Sequence, residues 1–422
     1  MQVTISRLQN GFTVATHEMP YLESVALGIW VKSGARDETI AQHGIAHLFE
    51  HMAFKGTKER TAYELSATVE GVGGEINAAT SIETTGFFAR VLAKDSDLAV
   101  DILSSILKDP LFAQEELEKE KQVVLQEIGA TYDAPEDIVF DYFTETAFRG
   151  QIVGRPILGT VDTVRSFTQK DLRDFMSSQY SAENMVLVAA GAIDHDKVLK
   201  AAEKYLSDFP TGNHKTPAKK ARYTGGDFRE KRNLLETQLL IGFPGKAFKT
   251  KDYYTSQLLA IILGGGMSSR LFQEIREKRG LCYSIYAFHW GFIDIGLFGI
   301  QASTRGESLP ELVELITREL RRASRKIDKQ DIKRAQAQYQ ANLTMTYESP
   351  TNRAHTFARQ ILLCGRVLPI QEIYDQICSI TEKQLVALAE EIFLDQEPTI
   401  AAVGDIDKLS PYEEIRKALT SK

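Results

Sequence analysis

Gly44-Ile45-Ala46-His47-Leu48-Phe49-Glu50-His51-Met52-Ala53-Phe54-Lys55-Gly56-Thr57 is the stretch from which the rest of this 422-residue chain is read. In a helix, at about 100° per residue, His47 and His51 lie within about 40° of each other on one face. Two imidazoles so spaced can grip one metal ion. Glu50 stands about 100° round from His51, near enough to act as a base beside that ion without closing its ligand shell. H-x-x-E-H is the reversed zincin pattern, two histidines for zinc and a glutamate base. Gly44 marks the helix start and leaves His43 at or before the cap, in a structural role. His43 and His51, about 12 Å apart on one helix, cannot share an ion. A helix with two core or surface histidines and no metal is the competing reading of a short motif.

Two histidines leave a catalytic zinc short of a protein ligand. A helix predicted over Gln114–Ile128 offers one. Glu120, Val123, Val124 and Glu127 recur at i, i+3, i+4, i+7 and share a face. Carboxylates on an inward stripe need a reason, because glutamate is seldom buried unpaired. The two are about 10.5 Å apart along the axis, so only one can ligate, and the other supports it or pairs with a cation.

The pentapeptide also has a degenerate echo, Arg270-Leu271-Phe272-Gln273-Glu274, and two other stretches recur in the same order. Leu187–Asp194 (LVAAGAID) returns as Ile400–Asp407 (IAAVGDID), and Tyr132-Asp133-Ala134-Pro135 as Tyr347-Glu348-Ser349-Pro350. The offsets are 213, 215 and 223 residues, which marks an internal duplication. In the second copy Arg270 and Glu274 stand where the histidines were, and Asn342 is the counterpart of Glu127, so only the first half can hold the metal. The pattern predicts a zinc-bearing domain over 1–210, a basic, turn-rich linker over 211–227, and a homologous domain without metal over 228–422.

Asn10-Gly11 between two apolar runs predicts a two-residue hairpin. Ser24–Lys32, Glu75–Ala79, Thr84–Leu92 and Met185–Ala190 read as strands. Ala62–Glu70, Asp95–Leu107, Glu136–Ala147, Gln169–Gln179 and Asp196–Leu206 read as helices. Strands and helices come in runs rather than strict alternation. The expected class is α+β: two homologous domains, each a mostly antiparallel sheet packed with helices.

Composition excludes several classes of function. Hydrophobic residues make up 43% and charged residues 25%, with no apolar run long enough to cross a bilayer, so no membrane role is expected. A net charge of -7 argues against nucleic acid as partner. Three widely spaced cysteines without a C-x-x-C pair suit a reducing compartment, and the N-terminus reads directly into a strand, so a cytoplasmic protein is expected.

Four blocks carry a family likeness: GIAHLFEHMAFKGT at 44–57, GGEINAATSIETT at 73–85, EKEKQVVLQEI at 118–128 and SSRLFQEIREKRGLCYS at 268–284. Across essentially its whole length the chain resembles the pitrilysin-type (M16) zinc metallopeptidases, especially short bacterial members related to the mitochondrial processing peptidase. The resemblance implies one Zn2+ per chain held by His47, His51 and Glu127, with Glu50 as general base and Glu120 as the acid that orients a ligand. It implies that Asn77 and Ala78 lie on an edge strand that pairs with extended substrate. It also implies that Arg276 and Tyr283 contact substrate near the scissile carbonyl; without the family, both read as ordinary surface and strand residues. Gly264-Gly265-Gly266 resembles a reduced form of the processing peptidase's glycine-rich loop, or is a plain turn. The implied activity is zinc-dependent endopeptidase action on a peptide substrate, small or unfolded, in a chamber closed by dimerisation. Carrying both residue sets favours a homodimer, with a heterodimer as the alternative. A non-catalytic scaffold subunit is the rival, and such subunits tend to have lost the motif residues that stand here.

Overall fold

The computed structural model describes residues 3–212 and 220–420. The chain divides into two compact units, Met1–Gly129 with Pro156–Lys219 and Thr344–Leu368, and Ala130–Arg155 with Lys220–Leu343 and Pro369–Lys422. In the first, β1 (Thr4–Arg7), β2 (Thr13–Glu18), β3 (Ser24–Val31), β4 (Glu75–Thr80), β5 (Thr85–Leu92) and β6 (Met185–Gly191) form one sheet in the order β1-β2-β6-β3-β5-β4. In the second, β7 (Gly226–Lys231), β8 (Thr237–Gly245), β9 (Cys282–Gly291), β10 (Gly296–Thr304) and β11 (Thr399–Gly404) follow the order β7-β11-β8-β10-β9.

Leaving out β1, the two orders correspond strand for strand. Each contains one parallel pair, β2 with β6 and β7 with β11, in an otherwise antiparallel sheet. The repeated LVAAGAID and IAAVGDID stretches cover most of β6 and β11 and the turns that follow them, with the two strands in the same place in each sheet. The fold is therefore α+β and duplicated.

The units are not the sequential split at 210/228. Helices α1 (Ile45–Ala53), α2 (Ala62–Glu70), α3 (Ser96–Lys108) and most of α4 (Gln114–Asp133) belong to the first unit, but α5 (Pro135–Ala147) packs on β8 and β11 of the second. In return, helix Pro350–Cys364 packs on β3 and β6 of the first. The crossing point is the repeated Tyr-x-x-Pro. Pro135 and Pro350 each open a new helix, where the ring's fixed φ suits the first turn and the missing N–H costs nothing. Periodicity reveals such helices but not which sheet they cover. The expected linker is also shorter at its far end, since Gly226 and Asp227 already belong to β7. Residues 213–219 lie outside the described residues. Arg222 N–H and Thr224 N–H are bonded to Gln151 Oε1 (2.8 Å) and Ala147 O (2.9 Å).

The Asn10-Gly11 hairpin joins β1 to β2, but its loop has three residues. Gly11 N–H donates to Leu8 O and Leu8 N–H to Phe12 O, both at 2.9 Å, with Gly11 at φ 90°. Asn10 is the middle residue of this loop; its amide donates to Leu206 O at 2.8 Å while its side-chain carbonyl accepts from Phe12 N–H.

Alternation along β3 separates two layers. Val25, Leu27, Ile29 and Val31 join the core beneath α1 and α3, whose buried members include Leu48, Phe49, Met52, Ile102 and Leu103. Trp30 faces the other way, against Phe88 and His355 of helix Pro350–Cys364 (centroids 6.4 and 5.1 Å). Burying Ile45, Leu48, Phe49 and Met52 fixes the roll of α1, so His47, Glu50 and His51 remain on its half-covered side. The start of α1 is fixed by Glu38, whose carboxylate accepts Gly44 N–H and Ala46 N–H, both at 2.9 Å. Gly44 sits at φ 94°, and a Cβ there would meet Leu158 O at 2.7 Å. An anion at the positive end of a helix dipole satisfies amides that have no partner within the helix. Replacing Glu38 by alanine is expected to lower unfolding free energy by about 1–2 kcal/mol, as loss of a side-chain helix cap does. Urea denaturation of the metal-free protein measures it.

Candidate metal centre

α1 brings His47 and His51 side by side, ring centroids 4.7 Å apart, and α4 brings Glu127 against both. Glu127 Oε2 lies 3.7 Å from His47 Nε2 and 3.7 Å from His51 Nε2. Among the described residues these three form the one group of metal-ligating side chains whose donor atoms all lie within 4.8 Å of one another. Four ligands at about 2.0–2.1 Å in a tetrahedron stand about 3.3 Å apart, so the two carboxylate–imidazole separations of 3.7 Å need only tenths of an ångström of closure. Glu127 Oε2 is shielded from solvent and accepts no hydrogen bond. A buried carboxylate oxygen facing two imidazole nitrogens, with no proton donor of its own, is the environment a cation completes. The residues fit a zinc ion.

Burial, and then the nearness of His51, lowers the His47 pKa from 6.5 to about 4. His47 is therefore neutral at pH 7, the form that ligates. Glu120 does not join the donor group. Its Oε2 is 2.9 Å from His51 Nδ1 and its Oε1 is 2.7 Å from Lys55 Nζ. The stripe expected on α4 needs one correction. Val123 is 38% exposed, and the covered face runs through Leu117, Glu120, Lys121 and Val124, with Glu127 at its partly covered margin. Val123 falls about 110° round from the centre of that face, about 40° beyond Glu127, which apolar character alone does not reveal.

Glu50 faces the same region. Burial raises its pKa, and a hydrogen bond from Thr80 Oγ1 to Glu50 Oε2 (2.5 Å) partly opposes this. Thr80 ends β4, the edge strand of the sheet, and nothing in its sequence context singled it out. Asn77 and Ala78 lie on that edge strand. Asn77 Oδ1 accepts Ala78 N–H at 2.8 Å, and Asn77 also lines a cavity of about 480 Å3 with Trp30, Phe88 and His355. His43 precedes the helix, its Nε2 2.7 Å from Pro156 O. His195 lies between Ser6 Oγ and Thr16 Oγ1, and His17 beside Arg353, in structural roles. His214 is outside the described residues.

In the second unit, Arg276 lies in a π-helical turn, Phe272–Glu277, overlapping the echo of the histidine motif. Its guanidinium is 4.9 Å from the ring centre of Tyr283, which is 77% exposed. Both line a cavity of about 500 Å3 with Gly264, Gly265 and Gly266. Arg270 and Glu274, at the former histidine positions, form ion pairs instead: Arg270 with Asp331 at 3.1 Å, and Glu274 with Arg318 at 2.8 Å.

Two family descriptions match the chain, "Insulinase (Peptidase family M16)" over residues 13–161 and "Peptidase M16 inactive domain" over 166–339. A Rickettsia felis protein named an uncharacterized zinc protease is 38% identical, covering 96% of this chain and 98% of its own. The chain belongs to peptidase family M16. The M16 relatives include the beta subunit of a Neurospora crassa mitochondrial-processing peptidase, 32% identical over 97% of this chain and 89% of that one. In fold, the M16 chain is similar to a protease from Helicobacter pylori, with a TM-score of 0.88 at 23% identity, covering 96% and 99%. The metal-ligating group lies within the first family match, and the match described as inactive spans most of the half that lacks the histidines.

The shifted His47 has a consequence for stability. Its folded pKa is depressed, so between pH 6.5 and about 4 the unfolded chain binds a proton that the native one refuses. Stability of the metal-free protein is therefore full above that window and lost as pH falls through it. His17, also held at about 4 by burial and Arg353, adds to the slope. Urea unfolding from pH 7 to 5 should show a shallower decline in His47→Gln than in wild type, by up to about one proton.

Proposed function

We propose that the protein is a zinc-dependent endopeptidase hydrolysing peptide bonds of small or unfolded polypeptides, with one zinc held by His47, His51 and Glu127. The observation that carries this is the buried, unpartnered Glu127 oxygen 3.7 Å from both imidazole nitrogens. When bound, zinc supplies Lewis acidity that makes water a nucleophile near neutral pH and polarises a carbonyl. Glu50 takes the proton of the attacking water and later delivers it to the leaving amine. Thr80 holds Glu50 Oε2 and leaves the other oxygen for the transfer, while burial moves the carboxyl's pKa towards the working range of a general base.

The open edge of β4 at Asn77 and Ala78 receives extended substrate as an added strand. Arg276 and Tyr283 donate to the developing oxyanion. They act on the zinc site of a second copy, so that a homodimer closes the chamber; pairing with an unlike chain is the variant that a relative named a beta subunit favours. Among the described residues no helix is long and apolar enough to cross a membrane, and none of the three cysteines forms a disulfide, which suits the cytoplasm.

Cleavage of an internally quenched, unstructured peptide tests the reaction. Wild type should cleave, and Glu50→Gln should retain zinc yet lose at least about a hundredfold in rate, as expected for removing a general base. Zinc bound in both without cleavage by either would contradict the peptidase reading. Mixing tests the sharing of sites. Glu50→Gln and Tyr283→Phe chains, each impaired alone, should regain up to about a quarter of wild-type activity once statistical dimers have formed. No recovery on mixing would contradict the exchange of residues between copies.

A further inference from the structure

His47, His51 and Lys55 fall at successive intervals of four, and the pairing they make with α4 continues past the metal ligands. His47 and His51 face Glu127, His51 Nδ1 meets Glu120 Oε2 at 2.9 Å, and Lys55 Nζ meets Glu120 Oε1 at 2.7 Å. Glu120 is 5% exposed, so its carboxylate has little water to turn towards. Lys55 follows the end of α1, and its N–H donates to Met52 O at 3.2 Å, which keeps the chain turning and its stem on the histidine side.

We propose that Lys55 is a positioning residue for zinc binding, acting through Glu120 on His51. The inference rests on the zinc-site reading given above and extends it to a cation that touches neither metal nor substrate. The ammonium holds one oxygen of Glu120, which fixes the carboxylate plane and aims the other oxygen at His51 Nδ1. That oxygen takes the Nδ1–H, leaving the Nε2 lone pair directed at Glu127 and the metal. Without Lys55 the carboxylate keeps a single partner and is free to rotate about its own axis, so the imidazole loses both its fixed ring plane and its preferred tautomer. A solvated-surface role for Lys55 fails on the geometry, since the carboxylate it meets is buried and already bonded to a ligand.

Zinc affinity of the full chain, measured by competition with a chromophoric chelator, tests this without reference to activity. Lys55→Met, which keeps the aliphatic stem, should weaken zinc binding by about tenfold or more, the range seen for partners of metal ligands. Lys55→Arg should restore most of the loss. In Glu120→Gln the further change Lys55→Met should cost nothing more, because the lysine's only route to the metal is gone. Wild-type affinity in Lys55→Met, or losses that simply add in the double variant, would overturn the proposal. A wild type that takes up no zinc would instead overturn the zinc-site reading, and the inference with it.

Discussion

A carboxylate cannot be taken out of water without compensation, and α4 takes two towards the protein interior within eight residues. Everything distinctive about the first unit follows from how those charges are answered. Glu120 is met by a lysine ammonium and an imidazole. Glu127 is met by two imidazole nitrogens, with one oxygen buried and accepting no hydrogen bond. An isolated buried charge costs several kcal/mol even after relaxation. The first carboxylate is satisfied by the protein; the second offers a shielded oxygen that could hold a cation together with the two imidazoles.

That arrangement depends on α1 being held in roll and in position. Its roll comes from Leu48, Phe49 and Met52 in the core shared with β3, and its start from the Glu38 carboxylate on Gly44 and Ala46. The edge strand β4 then places Thr80 on Glu50, so the Glu50 carboxylate is oriented by the same strand that leaves Asn77 and Ala78 at an open sheet edge. Scaffold and chemistry are thus joined through backbone positions rather than through long flexible loops. The second unit shows the converse. With the histidines replaced, the equivalent positions are bound into ion pairs among Arg270, Asp331, Glu274 and Arg318, and the duplicated frame presents Arg276 and Tyr283 instead.

Much of this was legible in the sequence, and the exceptions have physical reasons. Helical spacing is enough to place His47 and His51 together and to forbid Glu120 and Glu127 from sharing an ion. The repeat is enough to reveal the duplication, because β6 and β11 occupy the same place in each sheet. Spacing does not tell which carboxylate faces both Nε2 atoms; that depends on how far α4 is displaced along α1. Nor does it tell that α5 and helix Pro350–Cys364 each cover the sheet built from the other half of the sequence, since an apolar helix face does not name its partner sheet. The three-residue hairpin escaped for a similar reason. Asn10 is drawn off by Leu206, almost two hundred residues away. Thr80 and Lys55 were missed because a threonine on a strand and a lysine after a helix carry no signal until a partner is seen beside them.

The most direct test of the central claim is the position of the metal. Anomalous diffraction at the zinc edge from crystals of the whole protein should place one zinc per chain among His47 Nε2, His51 Nε2 and the Glu127 carboxylate, with Glu120 bonded to His51 and not to the metal. A zinc peak elsewhere, direct ligation by Glu120, or an empty site in zinc-equilibrated crystals would contradict the account.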